Sequence, residues 1–423
     1  MNEALLIETI QADKLNSLFS EMKKEPLSEK ERYLSLIRSA IEKYGTGDYH
    51  LISSPGRSEI GGNHTDHQHG HVIAAALNLD NLCIAKKRDD NLVIFEDSHL
   101  GKFSMDLTDL SYQEKEKNTS ASLVRGMASI LNENGYRIGG FEALCDSQVL
   151  IGSGISSSAC FEVMLAEIFN SLYNQGALTP VQKAIYAQYA ENVYFGKPCG
   201  LMDQLSIACG GFSAIDFLDP KDPVIENFDF SFKDHGYDFI LVDTKGDHSG
   251  LSNEYAAITE EIAMVAKELG VSVLRDGDKG YFFSHLSQIR QAVGNDRAIL
   301  RSIHFFEEDE RAVLQKEAIR IKDINTLLNL MKESGSSSFR FLQNVYPSSR
   351  PLSQSISLGL AVSERVLKGK GACRVHGGGF EGTIQAIVPC EMTKDYQKII
   401  SDLFGEDSLM ICQVRPFGTK TLL

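Results

Sequence analysis

Between Val149 and Ile168 the chain runs from an apolar stretch, Val149-Leu150-Ile151, into the small-residue loop Gly152-Ser153-Gly154-Ile155-Ser156-Ser157-Ser158. It leaves through a helical pattern of Ala159, Val163, Met164 and Ile168. A strand-like run, a glycine–serine loop and a helix in direct succession limit the fold to one that sets a helix start beside a strand end. Glycine has no Cβ and reaches positive φ readily, so the loop's N–H groups can approach a phosphate closely. The helix start adds partial positive charge, and three hydroxyls can bind oxygen or a metal ion. No Gly-Lys-Ser/Thr follows the glycines, so this is not the usual P-loop. Cationic help for any phosphate held here must come from elsewhere in the chain. An ordinary turn is the alternative for the segment taken alone.

At 423 residues the chain exceeds one ordinary core, so two domains are expected. Helical spacing at 4–22 and 31–44 marks residues 1–45 as a helical extension. Strand-like runs then follow at 49–53, 81–87, 92–97 and 141–147, with helical patterns at 120–134, 158–174 and 181–194. The later part has a strand at 239–243, helical patterns at 253–269, 286–293, 309–332 and 353–367, a strand pair near 371–389 and a last helix near 391–405. Helices grouped after strands indicate an α+β class, divided as 46–225 and 226–423. The charge of −15, from 42 basic and 57 acidic residues, argues against a general nucleic-acid or membrane surface but allows a local basic pocket. No apolar run approaches the roughly 20 residues that span a bilayer, and the N-terminus lacks a basic region ahead of an apolar block. Eight scattered cysteines without a C-x-x-C pair read as reduced thiols of the cytosol. A cytoplasmic monomer or weak oligomer without nucleic-acid or membrane partners is expected.

Four further segments could carry chemistry. Pro55 to Gly70 is dense in Gly, His, Asp and Asn, and Asn63, His64 and Asp66 offer the donors and acceptors that a hydroxyl-rich ligand needs. Its rivals are a metal site, given His64, Asp66, His67, His69 and His71, and a plain turn; zinc would want a second distant ligand cluster, and none exists. Gly196 to Gln204 follows Glu191 and ends on Asp203, which could equally be a helix N-cap. Gly371 to Gly382 packs four glycines into six residues, suiting either close approach to a ligand or a hairpin. Ser252 to Tyr255 could offer a phenol to a substrate, or only to solvent.

Taken in order, these segments resemble the galactokinases of the GHMP kinase superfamily. The galactokinase signature G-R-x-N-L-I-G-E-H-T-D-Y is matched by Gly56-Arg57 and by Gly62 to His67. The G-x-G-L-S-S-S-A loop is matched by Gly152 to Ala159, C-G-I-M-D-Q by Cys199 to Gln204, and G-G-G-F-G-G by Gly377 to Gly382. The resemblance implies a two-domain fold, a ribosomal protein S5 domain 2-like N-terminal domain and a C-terminal GHMP domain with the site in the cleft between them.

It implies further that ATP and Mg²⁺ are used to phosphorylate the anomeric hydroxyl of galactose or a close relative. Asp203 would be the base or orienting carboxylate, with Arg57 beside it. Gly152, Ser153, Gly154, Ile155, Ser156, Ser157 and Ser158 would hold ATP, Ser158 and Glu191 the metal, and Asn63, His64, Asp66, Gly200 and Tyr255 the sugar. Gly377, Gly378 and Gly379 would close the site. The chain departs from the pattern at Glu59, Gly61, Asn63, His67 and Glu381. Asn63 replaces a glutamate that accepts the sugar's C6 hydroxyl, which leaves galacturonate or another C6-altered hexose as an alternative substrate. A non-catalytic sugar and ATP sensor, and a kinase of mevalonate-type alcohols, are the other readings.

Overall fold

The computed structural model describes residues 1–149, 154–247 and 250–423. Three helices come first: α1 (Glu3–Gln11), α2 (Asn16–Glu21) and α3 (Pro26–Tyr44). The single helix expected over 4–22 is broken at 12–15, where Asp13 takes φ 57°. Pro26 at the first helical position and the Glu25 cap start α3 earlier than its apolar spacing suggested.

Strands β1 (Tyr49–Gly61), β2 (His71–Lys87), β3 (Leu92–Asp97) and β4 (Gly101–Asp106) follow, then α4 (Ser120–Glu133), β5 (Phe141–Ser147), α5 (Ser157–Tyr173), α6 (Pro180–Tyr189), α7 (Met202–Cys209), β6 (Phe212–Asp216) and β7 (Val224–Phe228). The remainder is β8 (Tyr237–Asp243), α8 (Ser252–Glu268), α9 (Lys279–Ser284), α10 (Leu286–Val293), α11 (Asp296–Arg320), α12 (Ile324–Ser337), α13 (Ser355–Leu367), β9 (Ala372–Val375), β10 (Thr383–Pro389), α14 (Thr393–Phe404), β11 (Leu409–Cys412) and β12 (Lys420–Thr421). The helix expected over 309–332 is two helices. Lys322 at φ 58° ends α11, and Asp323 caps α12 by accepting from the Thr326 N–H. None of the helices among the described residues is long and apolar enough to cross a membrane.

The mixed α+β expectation holds, as two sheets. The larger runs β12-β1-β2-β5-β3-β4, with β6 and β7 added alongside β2; the smaller runs β11-β8-β10-β9. Sheet period decides what covers each face. Ile52, Cys83, Ala85 and Ala143 point into the main core beneath α4–α7, while Leu51, Leu82, Ile84 and Leu144 point the other way. Leu6, Ile10, Phe19, Tyr33 and Ile37 of the first three helices cover that second face. A buried ion cluster pins the cover in place. Asp80 is fully buried and takes Lys24 Nζ at 2.6 Å, Arg32 Nη1 at 2.8 Å and the Ser53 hydroxyl.

The largest departure from the sequence reading concerns Pro55 to Gly61, expected in a polar loop. It continues β1, paired with β2 through register shifts between Pro55 and Arg57 and between Glu59 and Gly61. Such bulges bend a strand and re-aim its side chains, here at the two motif positions that matter for the site. The chain's end also returns, pairing Thr421 with Ile52.

Candidate active site

The phosphate-type loop sits against the first bulge of β1. Gly152 and Ser153, two of the expected phosphate contacts, lie outside the described residues. Gly154 takes φ 78°. Ile155 is buried in the core, and its carbonyl accepts the Arg57 N–H at 3.2 Å, so only its main chain is available to a ligand. Ser156 is left-handed at φ 60°, ψ 62°, and makes no side-chain cap for α5; its hydroxyl donates instead to Asp203. Non-glycine residues held in that region are costly and concentrate at ligand sites. Ser157 and Ser158 open α5, where helical N–H groups have no intrahelical partner and suit an anion.

Asp203 stands in the first turn of α7, whose cap position, Leu201, makes no side-chain cap bond. Its carboxylate is not spent on the helix. Arg57 grips it in two-pronged fashion, Nε to Oδ1 at 2.6 Å and Nη2 to Oδ2 at 2.8 Å, while Nη1 donates to the Gly154 carbonyl at 2.7 Å. Charge-assisted pairs of this geometry are strong and directional. The Arg57 side chain is 6% exposed and that of Asp203 30%, so the pair shows its acidic edge to the cleft. Burial alone would raise the Asp203 carboxyl. The charge and hydrogen bonds of Arg57, with the Ser156 hydroxyl and Lys197, outweigh it and hold the group below the usual carboxylate range. Asp203 is therefore ionised at neutral pH.

A second acidic centre flanks the loop. Glu191, almost wholly buried, stands where the expected helix becomes a π-helical turn, Ala190–Phe195. Its Oε1 takes the Ser158 hydroxyl at 3.3 Å and Lys197 Nζ at 3.0 Å, and its Oε2 takes Gln204 Nε2 at 2.9 Å. Glu162, one helical turn after Ser158, shares the same Gln204 amide at 3.2 Å, and its Oε1 is buried without a partner. Burial and then the nearby Glu191 push the Glu162 carboxyl well above its ordinary range. A hydroxyl and a carboxylate are the hard oxygen donors Mg²⁺ prefers, and that ion keeps several positions for water and phosphate. The donor set fits such an ion.

The third group is the polar turn after β1. Asn63 is fully buried, and its amide is committed: Nδ2 donates to Glu59 Oε1 at 2.9 Å and the Gly377 carbonyl at 2.8 Å, while Oδ1 accepts from Ser338 at 3.1 Å and Asn344 at 2.9 Å. Expected to face a sugar, it instead ties the two sheets together. His64 Nε2 is 3.0 Å from the Gly378 carbonyl, so that nitrogen carries the proton, and Nδ1 lies 3.4 Å from His67 Nε2. Burial first, then the neighbouring His67, drives His64 down to about 3, so the ring is neutral. Asp66 accepts the His67 N–H at 2.9 Å, and its Oδ2 lies against Gly200 so closely that a Cβ there would stand 1.7 Å away. Tyr255 donates to the Gly379 carbonyl at 3.0 Å and packs edge-on against Phe380. Gly377 and Gly379, at φ 61° and 79°, turn the β9–β10 hairpin over Arg57. The hairpin reading is met, with β9 and β10 paired antiparallel.

Sequence reasoning did not single out Glu162, Lys197, Gln204 or His376. His376 lies between the loops with Nε2 2.9 Å from the Ser58 hydroxyl and Nδ1 buried without a partner. The spacing of Ser158 and Glu162, four apart on one helix face, was the signal available for the first of these. The others depend on long-range packing.

Residues 122–211 match the family described as GHMP kinases N terminal domain, and residues 41–87 match the galactokinase galactose-binding signature. Two curated relatives, both named galactokinase, come from Actinobacillus pleuropneumoniae serotype 3 and Streptomyces coelicolor. Each is 28% identical over 369 residues, spanning 87% of this chain and 92% of the relative. Among solved structures, Lactococcus lactis galactokinase complexed with galactose superposes with a TM-score of 0.79 at 22% identity, covering 92% of this chain and 99% of that one. Methanococcus jannaschii mevalonate kinase superposes at 0.60 and 15% identity, covering 87% and 99%. These two share the fold, mixed α+β in two sheets. Arg57 lies in the stretch that matches the galactose-binding signature and Asp203 in the stretch that matches the GHMP kinases N terminal domain, and their side chains meet at 2.6 Å beside the β9–β10 glycine loop.

Proposed function

We propose that the protein is an ATP-dependent sugar kinase that phosphorylates galactose at its anomeric hydroxyl. The observation that carries this reading is the Asp203 carboxylate, gripped by Arg57 and by Ser156 of the phosphate-type loop, with its open edge on the cleft. The names of the aligned relatives favour galactose over its C6-altered relatives.

In this reading the N–H groups at the start of α5 and the loop glycines hold the phosphates of ATP. Magnesium, with Ser158 and Glu191 as its protein donors, would supply charge neutralisation along those phosphates. Asp66 is the acceptor presented to the sugar's hydroxyls, and Asn63 and His64 set the shape of the turn that carries it. Asp203 accepts a hydrogen bond from the anomeric hydroxyl and orients it. The anomeric oxygen bonds to the γ-phosphorus as the bond from that phosphorus to the bridging oxygen breaks. ADP leaves, and the hydroxyl proton passes to Asp203 and on to solvent. A carboxylate held this acidic is a weak base. That suits a loose phosphoryl-transfer transition state, in which alignment and electrostatics matter more than early proton removal.

The test is coupled ADP release across galactose, glucose, galacturonate and mevalonate, with the product identified by phosphorus NMR. Galactose should be turned over to the 1-phosphate, and Asp203→Asn should lower kcat by about 10²–10⁴ while still binding ATP. Binding of both ligands with no ADP formed from any of the four would overturn the assignment and leave a sensor.

A further inference from the structure

The loop at 152–158 brings no lysine of its own, while the carboxylates of Asp203 and Glu191 already stand beside it. A polyphosphate entering it would meet the Arg57 guanidinium, each of whose three nitrogens already donates to Asp203 or Gly154. Lys197 reaches the same place from a different part of the chain.

Lys197 follows the π-helical turn that carries Glu191. Gly196, left-handed at φ 86°, ψ 24°, folds the chain back so that the N–H groups of Gly196 and Lys197 both bond the Glu191 carbonyl, at 2.9 and 3.2 Å. Pro198 follows at once and limits the backbone further. The lysine is thereby aimed back over its own turn, with Nζ on Glu191 Oε1, the carboxylate oxygen that also takes the Ser158 hydroxyl. Ammonium and helix-start hydroxyl thus lie within two hydrogen-bond lengths of each other. The lysine side chain is 60% exposed and Glu191's is 3% exposed. The carboxylate is thus enclosed, while most of the lysine side chain lies in solvent. Its charge also favours the ionised forms of Asp203, Glu162 and Tyr255.

We propose that Lys197 is a phosphate-binding residue, the cation that the loop at 152–158 lacks, parked on Glu191 until a nucleotide arrives. A compact ammonium with three donors suits a phosphate oxygen, and Glu191 is released for a metal by the same movement. The inference rests on the nucleotide reading above and deepens it.

Calorimetric titration of ATP and of AMP in EDTA separates the two claims, because the metal is absent and only ATP carries the β- and γ-phosphates. For Lys197→Met, ATP should bind roughly tenfold more weakly, which is about 1.4 kcal/mol, with AMP changed less than about twofold; Lys197→Arg should recover most of the loss. Unchanged AMP binding reports that the variant is folded. Equal ATP affinity in the Met variant and the unchanged protein overturns the role for Lys197 while leaving the kinase reading intact. So does a variant whose only change is a lower magnesium requirement, since Lys197 would then be no more than a counter-ion to Glu191. If the unchanged protein binds neither nucleotide, both the kinase reading and this inference fall.

Discussion

Gly200→Ala tests the proposed sugar end of the site with one carbon atom. Position 200 is not among the positive-φ residues, so alanine fits its backbone without strain. What it meets is Asp66: the added Cβ would stand 1.7 Å from Oδ2 and 2.6 Å from Cγ. Carbon and oxygen settle roughly 3.5 Å apart, so the carboxylate must give way by about 1.5–2 Å. It is tethered on its other oxygen by the His67 N–H at 2.9 Å, and the displacement will disturb that bond too. A shift of about 1 Å in a positioning group can cost 10²-fold. We expect kcat/KM for galactose to fall about 10²-fold, ATP affinity to hold, and the thermal midpoint to move little. Steady-state kinetics with varied galactose, ATP titration and calorimetry measure the three. The decisive comparison is a double-mutant cycle with Asp66→Ala. If the alanine acts through Asp66, adding it to Asp66→Ala should cost little more. Additive losses, or a Gly200→Ala enzyme with normal galactose kinetics, would refute the placement of Asp66 on the sugar.

Arg57→Lys keeps a charge but loses the two-pronged grip. The native Asp203 carboxyl, held low, stays ionised throughout the usual assay range and adds no acid limb there. In the variant burial is less opposed, the carboxyl rises, and activity should fall as pH drops from 7 towards 5; a flat profile would count against the pairing. Ser158→Ala should raise the magnesium concentration needed for half-maximal rate several-fold with galactose KM unchanged, and chelation should stop turnover reversibly. Glu308→Gln tests the buried network behind Asn63. Glu308 is fully buried, accepts the Gly62 N–H at 3.0 Å, the Asn63 N–H at 3.3 Å and the Ser334 hydroxyl, and pairs with Arg311. Removing one partner of such a pair costs about 3 kcal/mol or more, read as a drop in the denaturant midpoint. Burial would raise the Glu308 carboxyl, but His304, Arg311 and Arg374 pull it down to about 2. Its stabilisation is thus complete above the ordinary value of 4.5 and is lost as pH falls towards 2. The variant should lack that part of the acid sensitivity.

Local chemistry was legible in the residues themselves. The apolar 3.6-residue period after the glycine–serine loop announced a helix, and α5 does open at Ser157. The order of the motifs also pointed to the superfamily. The character of the middle of β1 was not legible: Pro55 to Gly61 reads as polar loop, and only pairing with β2 makes it a strand. Nor could spacing tell whether Asp203 caps a helix or faces a ligand. In the fold Asp203 does not cap α7; Arg57, 146 residues away, holds its carboxylate with two donors at once.

Asn63 shows the limit most sharply. As a residue type in a polar run it suits a sugar. Folded, it is enclosed by Glu59, Gly377, Ser338 and Asn344, and its amide has nothing left to give. Lys197 went the opposite way, from an unremarked residue after a glycine to a cation on the Glu191 carboxylate. The first helices looked like an appendage, yet the second face of the large sheet would be bare without Phe19, Tyr33 and Ile37. Sequence alone determined which groups the chain owns and which segments can approach a phosphate, since both follow from side-chain chemistry and short-range periodicity. Which acid is gripped, which amide is consumed and which carboxylate the lysine meets were decided by contacts that the fold makes, across 146 positions for Arg57 and Asp203, 314 for Asn63 and Gly377 and six for Lys197 and Glu191. A hydrogen bond is made or denied by where the fold brings its two ends.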